Sequence, residues 1–351
     1  MTNRHQPIDY EMKIYAYLDL LGFKDVVGDA DNNPNGVEKI YNLLRSRKLL
    51  KSVLSIMPPD PKLDRNKFEV RGFSDTVTVS CPIEPHAYFE AMSRLVIFYQ
   101  YLLCEKHKKF LRGAIVCEKI YEDEEVVFGP ALIRAHYLAE NLADWPRVLV
   151  DESILNGSTP EQTERCFAKF LRKDDRGQVH LDYLRPYFAV SGLPDFRVKG
   201  YVGDLRSPLG PFQIHKTTIE AEVRNLIEKR KTDVCEEKYK PLANYHNLAI
   251  DHQCNVIRML RSDEGAITNS ALAMCTRHEN TYTADNQDYA DVTYLVGKCL
   301  RRIHEMHEQV YDPADTLDRK IALVSQRILS HLSKLEDELR SLKIDIQSLL
   351  G

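Results

Sequence analysis

The chain has 351 residues, of which 43% are hydrophobic and 28% charged, and a formal net charge of −4. This length allows about two or three domains, and the composition excludes a largely disordered chain. The balanced charge excludes a strongly basic nucleic-acid coat, and no apolar run reaches the roughly 18 residues of a membrane span. The first residues hold no apolar signal core, and the eight cysteines form no CxxC pair. We therefore expect a cytoplasmic protein with no membrane or nucleic-acid partner, no disulfide framework and no metal cluster built on cysteines.

The first 150 residues alternate strand and helix patterns. An apolar run over 13–23 predicts a buried strand that carries one carboxylate, Asp19, and ends near Gly22. The elements after it are predicted as a helix over 37–56, a hairpin over 68–81, a helix over 85–107, a strand over 111–121, a helix over 130–143 and a strand over 145–150. A hairpin between two helices gives the order βαββαβ. The fold class is therefore α+β and ferredoxin-like, with a mixed or antiparallel sheet.

The rest of the chain divides into a less regular part and a helical part. Residues 152–250 carry polar turns and read as an appendage of the first domain, while 251–351 form an α-helical C-terminal extension. Near the end, apolar residues recur three and four apart, at Leu332, Leu335, Leu339, Leu342, Ile346 and Leu349. Such a short heptad stripe fits either a contact with another helix pair or chain, or a terminal helix packed on its own chain, and both interpretations stay open.

Two carboxylates carry the strongest chemical signal. Asp19 interrupts an apolar strand, where a charge is costly unless it is paired or bound to a cation. Asp75 lies in the hairpin turn GFSD, although Asp is also an ordinary turn residue. In a ferredoxin-like sheet the first strand and the central hairpin are neighbours, so the two side chains can converge. Hard oxygen ligands of this kind suit magnesium together with substrate phosphates.

Two further segments could bind an anion. Arg112 and Gly113 occupy a strand interior, where glycine often marks the close approach of a backbone or a ligand, and arginine can hold phosphate. The alternative is an edge-strand arginine in solvent. Gly129 precedes the helix that begins at Pro130, and a helix N-terminus favours phosphate.

Five segments occur in a fixed order: YLDLLGF, GFSDTV, LRGAI, VFGPALIRAHYLAE and WPRVLVD. Together they cover about residues 13–151 and resemble the catalytic domain of the class III nucleotidyl cyclases. Within that superfamily they most resemble the pyrimidine cyclases of the bacterial Pycsar antiphage systems, which make cyclic UMP or cyclic CMP. The resemblance implies a cyclase domain over 1–250 and a homodimer with interface active sites. It also implies a nucleoside triphosphate substrate, two Mg²⁺ or Mn²⁺ ions per site and a separate effector protein that senses the cyclic nucleotide.

The resemblance also implies roles for individual residues. Metal binding falls on Asp19, Leu20 and Asp75. Catalytic roles fall on Asp19, Asp75, Arg112 and Arg134. Substrate binding falls on Phe23, Arg71, Gly113, Val126 and Gly129.

The departures from purine cyclases concern charge and base recognition. Purine cyclases carry an Asn and an Arg where this chain has Ile133 and Tyr137, so Arg134 and Arg112 are the nearest replacements. At the positions that read a purine, this chain has Arg71 and Val126, which match neither adenine nor guanine. The preferred prediction is therefore a metal-dependent cyclase of UTP or CTP. A purine cyclase with rearranged readers, and a catalytically degenerate module for dimerisation or sensing, remain as alternatives.

Overall fold

The structure is a computed structural model that describes residues 9–30, 33–56, 60–84, 86–184, 209–275 and 316–350. Eight strands of the described chain form one sheet. They are β1 (Glu11–Leu20), β2 (Glu69–Phe73), β3 (Thr76–Pro82), β4 (Leu111–Glu122), β5 (Val127–Phe128), β6 (Val148–Val150), β7 (Leu171–Lys173) and β8 (Val179–Leu181).

The described helices fall into a group within the strand-bearing part and a C-terminal group. The first group is α1 (Phe23–Gly28), α2 (Gly36–Arg45), α3 (Lys48–Ile56), α4 (Ala87–His107), α5 (Pro130–Asn141), α6 (Glu152–Asn156) and α7 (Pro160–Lys169). The second group is α8 (Gly210–Glu228), α9 (Thr232–Val234), α10 (Lys240–Ser262), α11 (Glu264–Cys275), α12 (Leu317–Ser341) and α13 (Ile346–Leu350). A π-helical turn, Cys235–Tyr239, joins α9 to α10.

The strand order confirms the predicted fold class. Along the sheet the strands follow β2-β3-β1-β4-β6-β8-β7, and β5 pairs with β4. The first four strands are antiparallel to their neighbours, while β6 runs parallel to β4. The segment from β1 to β4 is therefore a ferredoxin-like βαββαβ unit within a mixed sheet. Strands β7 and β8, which the irregular sequence of the predicted appendage did not indicate, extend this sheet beyond β6.

The two faces of β1 pack against different layers because successive side chains point to opposite faces. Ile14 and Leu18 belong to the main core, which α4 and the C-terminal helices share. Tyr15 and Tyr17 belong to a smaller cluster under α5, where Ala135 packs on the sheet. Helix α5 thus covers part of the face on which the odd-numbered side chains of β1, including that of Asp19, lie.

Two predicted elements end elsewhere than expected. The strand predicted over 13–23 ends at Leu20, because Gly22 adopts a φ of 75° and starts α1. Phe23 is therefore the first residue of a helix and not the last of a strand. The helix predicted over 37–56 is two helices. The buried Ser46 side chain donates to the Leu43 carbonyl at 2.6 Å and lies 3.4 Å from the Tyr99 hydroxyl, where α2 ends.

A buried guanidinium holds the region around β6. Arg147 has a fully buried side chain that pairs with Asp144 and Asp174, each at 2.6 Å. Its guanidinium also stacks over Trp145, with 4.9 Å between Cζ and the ring centroid. The ring of Trp145 lies 5.4 Å from that of Tyr245 on α10. These contacts tie the sheet to the C-terminal helices.

The predicted heptad stripe is not one continuous helix. Helix α12 ends at Ser341, and Ile346 lies on the separate helix α13. Side chains of α10 bond the backbone at this break: His246 Nε2 lies 3.0 Å from the Leu342 carbonyl, and Asn247 exchanges hydrogen bonds with the backbone of Ile344. These side chains replace the bonds that a continuing helix would make. The stripe is buried within its own chain, where α12 packs on α10 and α11.

The predicted division of the chain into two domains is not tested by the fold. Helix α10 runs across the predicted domain boundary between 250 and 251, and the division into a catalytic domain over 1–250 and an extension over 251–351 stays a prediction. The predicted loop over 276–288 lies outside the described residues. Among the helices that the structure describes, none combines the length and the apolar character needed to cross a bilayer.

Candidate active site

Asp19 and Asp75 meet where β1 ends beside the β2–β3 turn. Asp19 lies opposite Thr76 of β3 on one side and opposite Arg112 of β4 on the other. The backbone N–H of Leu20 donates to the Asp75 carbonyl at 3.3 Å, which fixes the turn against the end of β1. The antiparallel register of β1 and β3 thus brings Asp19 and Asp75 to the same end of these two strands.

The charge of Asp75 disfavours ionisation of Asp19. Burial, and then the negative charge of Asp75, raise the pKa of Asp19 from its ordinary value of 3.8 to about 6, although Arg112 acts in the opposite direction. Like charges within about 4–6 Å disfavour ionisation in this way. A bound cation would relieve the repulsion.

Arg112 connects Asp19 to a carboxylate that the sequence did not indicate. Its Nη2 atom lies 3.3 Å from Asp19 Oδ2 and 2.5 Å from Glu140 Oε1 of α5. The side chain of Arg112 is mostly buried, while that of Glu140 is exposed. Gly113, the next residue, has a backbone role: a Cβ there would lie 2.3 Å from the Tyr17 carbonyl, so glycine permits the close approach of β1 and β4.

The donor set of Asp19 and Asp75 fits a divalent cation. Carboxylate oxygens are the ligands that Mg²⁺ and Mn²⁺ prefer. Within the described part of the chain, no three His, Cys, Asp or Glu side chains are grouped to hold a metal ion. An ion here would therefore take two side-chain carboxylates from the protein and its other ligands from the backbone, water or substrate, which is how Mg²⁺ usually binds. Leu20 follows Asp19 in the chain, and its metal-binding role stays a prediction.

The loop after β1 places Phe23 close to this group. Leu21 donates its N–H to the Phe110 carbonyl at 3.0 Å, and Gly22 then turns the chain into α1. Phe23, the first residue of α1, is half-buried and packs on the core. Its aromatic ring therefore has a packing role, and its predicted contact with a substrate stays a prediction.

Gly129 immediately precedes helix α5, and the backbone at this position requires glycine. Gly129 has a φ of 141°, and a Cβ there would lie 2.9 Å from the Lys119 carbonyl, so other residues are disfavoured on two grounds. Ile133 and Tyr137 follow one and two turns later, and both side chains are exposed. They lie on the same helix face as Glu140, because residues three, four and seven apart share a face.

The side chain of Arg134 pairs with Asp151 and not with Asp19 or Asp75. Its Nε and Nη2 atoms lie 3.1 and 2.8 Å from one oxygen of Asp151, the residue that caps α6. Burial alone would raise the pKa of Asp151, but hydrogen bonds from Ser153 and Arg134 hold it below its ordinary value. The catalytic role predicted for Arg134 would therefore require it to leave this pair.

Arg71 faces a buried carboxylate, Glu122, that belongs to the far end of β4. Glu122 has a side chain only 3% exposed, and it meets residues of three other strands. Lys13 of β1 donates to its Oε1 at 2.9 Å, Ser80 of β3 donates to the same oxygen, and Arg71 Nε of β2 lies 3.8 Å from Oε2. Glu122 therefore connects the end of β4 to side chains of β1, β2 and β3.

Val126 belongs to the turn that follows Glu122, the carboxylate next to Arg71. It occupies the turn between β4 and β5, where its backbone bonds to Asp123, and its side chain is exposed. The structure thus assembles Asp19, Asp75 and Arg112 at one place and puts Arg71 at a second place on the same face. Arg134 joins neither group, and the predicted contact of Val126 with a substrate base stays a prediction.

Two residues of these groups were missed in the sequence analysis. Glu140 had a detectable signal, since it follows Ile133 by seven residues and Tyr137 by three, on one helical face. Glu122 had none, because its burial depends on partners from three other strands and not on any local pattern.

Comparisons with known proteins add little. No protein-family model matches the chain, and no curated protein matches it. Chains of solved structures do match, among them a bacterial light-regulated adenylyl cyclase at 14% identity, over 52% of this chain and 96% of that chain, with a TM-score of 0.32. A similarity this low carries no argument about the site or its substrate.

Proposed function

We propose that the protein is a metal-dependent pyrimidine nucleotide cyclase that converts UTP, or less readily CTP, to the 3′,5′-cyclic monophosphate and pyrophosphate. The observation that carries the proposal is the convergence of Asp19 and Asp75 beside Arg112 in a ferredoxin-like sheet. The motif order that resembles the Pycsar cyclases supports the same activity and suggests a role as a second-messenger synthase in antiphage defence.

Cyclisation asks little covalent chemistry of the protein. The ribose 3′-oxygen attacks the α-phosphorus and pyrophosphate leaves in line, so positioning and charge neutralisation carry the reaction. When bound at Asp19 and Asp75, divalent cations would activate the 3′-oxygen and neutralise the triphosphate. Arg112 has a guanidinium next to this place and would bind a phosphate oxygen. The backbone of Leu20 and Gly129 lies at the two chain segments that the resemblance assigns to metal and substrate.

Base recognition is assigned to Arg71. A guanidinium offers only donors, and Oε1 of the neighbouring Glu122 already accepts from Lys13 and Ser80. The Arg71 guanidinium can donate to the carbonyl-bearing edge of uracil, whereas cytosine presents an amino donor at the corresponding place. UTP is therefore the preferred substrate in this proposal.

A second candidate function rests on Ile133 and Tyr137. Neither side chain can stabilise charge at the positions where purine cyclases carry Asn and Arg, and both are exposed on α5. This observation favours a catalytically degenerate module that dimerises or binds a nucleotide without turning it over.

One experiment separates these candidates. The purified protein is incubated with Mg²⁺ or Mn²⁺ and, separately, each of UTP, CTP, ATP and GTP, and the products are identified by liquid chromatography and mass spectrometry. We expect cyclic UMP and pyrophosphate as the main products. Cyclic AMP or cyclic GMP as the main product would contradict pyrimidine specificity. Nucleotide binding without any cyclic product would support the degenerate module.

A further inference from the structure

One nitrogen atom of Arg112 stands between two carboxylates. Nη2 lies 2.5 Å from Glu140 Oε1 but 3.3 Å from Asp19 Oδ2. Charge-assisted hydrogen bonds between nitrogen and oxygen are usually about 2.7–2.9 Å long, so the bond to Asp19 is long. The guanidinium therefore lies closer to Glu140 than to the candidate metal ligand Asp19.

The charges around this nitrogen favour a divalent cation. Asp19, Asp75 and Glu140 carry three negative charges and Arg112 one positive charge, which leaves a formal charge of −2 on the four groups. Arg112 also competes with any cation for Asp19, since both would take the same carboxylate oxygens. A feature that keeps the guanidinium from closing on Asp19 would favour the cation.

We propose that Glu140 is a positioning residue that holds Arg112 away from Asp19, which leaves Asp19 open to a divalent cation and keeps Arg112 beside the site for a substrate phosphate. The inference rests on the metal site of the proposed function, but it requires no nucleotide. Without Glu140, the nearest carboxylate for Arg112 is Asp19, and a closed Arg112–Asp19 pair would oppose cation binding.

The test measures Mn²⁺ binding to the full-length protein without nucleotide, by electron paramagnetic resonance of the free ion. Glu140→Gln keeps the shape of an exposed side chain and removes its charge. We expect it to weaken Mn²⁺ binding about tenfold, which corresponds to about 1.4 kcal/mol. In an Arg112→Met background, the same change should alter binding by less than about threefold, because the competitor is gone. Glu140→Asp should recover part of the affinity, since it restores the charge.

Three outcomes would overturn the proposal. Equal weakening with and without Arg112 would mean that Glu140 acts on the cation directly. Unchanged binding in Glu140→Gln would mean that Arg112 does not compete for Asp19. Failure of Glu140→Asp to recover any affinity would mean that the charge at this position is not the cause.

Two controls keep the result interpretable. If Arg112→Met does not fold, as judged by circular dichroism and thermal unfolding, Arg112→Gln takes its place. Mn²⁺ binding that survives in the Asp19→Asn/Asp75→Asn double variant would show that the metal site of the proposed function is wrong. If Mn²⁺ binding depends on Glu140 and Arg112 as expected but no cyclic product forms, this inference stands and only the proposed cyclase activity is contradicted.

Discussion

Asp19 combines a strand position, partial burial and a second carboxylate nearby. Its pKa is raised to about 6 by burial and by Asp75, so the folded protein maintains an unfavourable arrangement of charge at this place. Sites that bind cations often maintain such arrangements, because the ligand supplies the missing charge. The first prediction concerns this pair.

We predict that Asp19→Asn and Asp75→Asn each lower the rate of cyclic nucleotide formation by roughly 1,000-fold, because each removes a metal ligand whose stabilisation of the transition state is worth several kcal/mol. Thermal unfolding should change little, since neither side chain fills the core. The matched control is Asp29→Asn, which alters a surface pair with Lys229 and should leave the rate unchanged. Near-full activity of either site variant at saturating metal would refute the two-carboxylate site.

Arg71 is predicted to control which nucleotide base the protein accepts. Arg71→Ala should raise the apparent KM for UTP about tenfold or relax discrimination between UTP and CTP, because it removes the donors assigned to the base, each good pair being worth about 1–3 kcal/mol. The turnover number should fall less. Arg224→Ala, at an exposed position on α8, serves as the control. A loss of turnover with unchanged preference among the triphosphates would argue against a base-reading role.

At the scale of elements, a chain of buried polar groups joins the sheet to the C-terminal helices. Tyr183 lies 2.7 Å from His215 Nε2, His215 Nδ1 lies 3.0 Å from His246 Nδ1, and His246 Nε2 lies 3.0 Å from the Leu342 carbonyl. A carbonyl can only accept, so His246 donates from Nε2, and in its neutral form it accepts at Nδ1. His215 then donates from Nδ1 and accepts from the Tyr183 hydroxyl. With both histidines neutral every bond in the chain is satisfied, and burial favours this neutral state over a charged one.

This chain predicts a loss of stability in mild acid. Burial lowers the pKa of His246 from 6.5 to about 4 and that of His215 well below its ordinary value. As pH falls below about 6.5, the unfolded state takes up protons that the folded state refuses, so the free energy of unfolding decreases. The contribution of His246 is complete above pH 6.5 and is lost by about pH 4, on the order of 3 kcal/mol.

Urea unfolding at a series of pH values between 4 and 7.5 measures this dependence. His246→Asn should be less stable at pH 7.5 and show a shallower acid slope than the parent. His136→Asn, which alters an exposed histidine on α5, should retain the parent slope. An identical slope in His246→Asn and the parent would mean that the buried pair does not control acid stability.

Some of these secondary-structure elements were predictable from the sequence and others were not. The hairpin of β2 and β3 was predictable because two β-branched runs flank a turn, and local chemistry decides both. The division at Ser46 was not, since it depends on a hydroxyl that meets Tyr99 of a distant helix. The heptad pattern predicted a stripe that continues past Leu342, although the helix ends at Ser341. The sequence of that segment does not show that His246 and Asn247 bond its backbone. The two aspartates were found from local patterns, whereas the burial of Glu122 depends on side chains of three other strands.

At the scale of the whole molecule, exposed apolar side chains flank the Asp19 group. Phe73 at the end of β2 is 86% exposed and Ile133 on α5 is 72% exposed, with Tyr137 one turn further along. Large apolar side chains grouped around a polar site are typical of surfaces that another protein covers. A second copy of the chain is the partner that the proposed function implies.

We predict that the protein is a homodimer and that Ile133→Glu raises its dissociation constant at least tenfold, because a charge would be buried at the interface. Val37→Glu is a matched control, since Val37 has the same 72% exposure but lies on α2. Sedimentation velocity across a concentration series gives both constants. A monomeric parent protein, or equal constants for the two variants, would contradict the predicted interface.

The position of Trp145 has a practical consequence. It is the single tryptophan of the chain, and its ring is buried between Arg147 and Tyr245 of α10. Its fluorescence therefore reports one event, the docking of α10 on the sheet, without interference from other indoles. Separation of the helices from the sheet should shift the emission to longer wavelength, even if the sheet itself stays folded. Trp145 is thus an intrinsic fluorescent probe of the contact between the sheet and α10, and no label has to be attached to follow that contact.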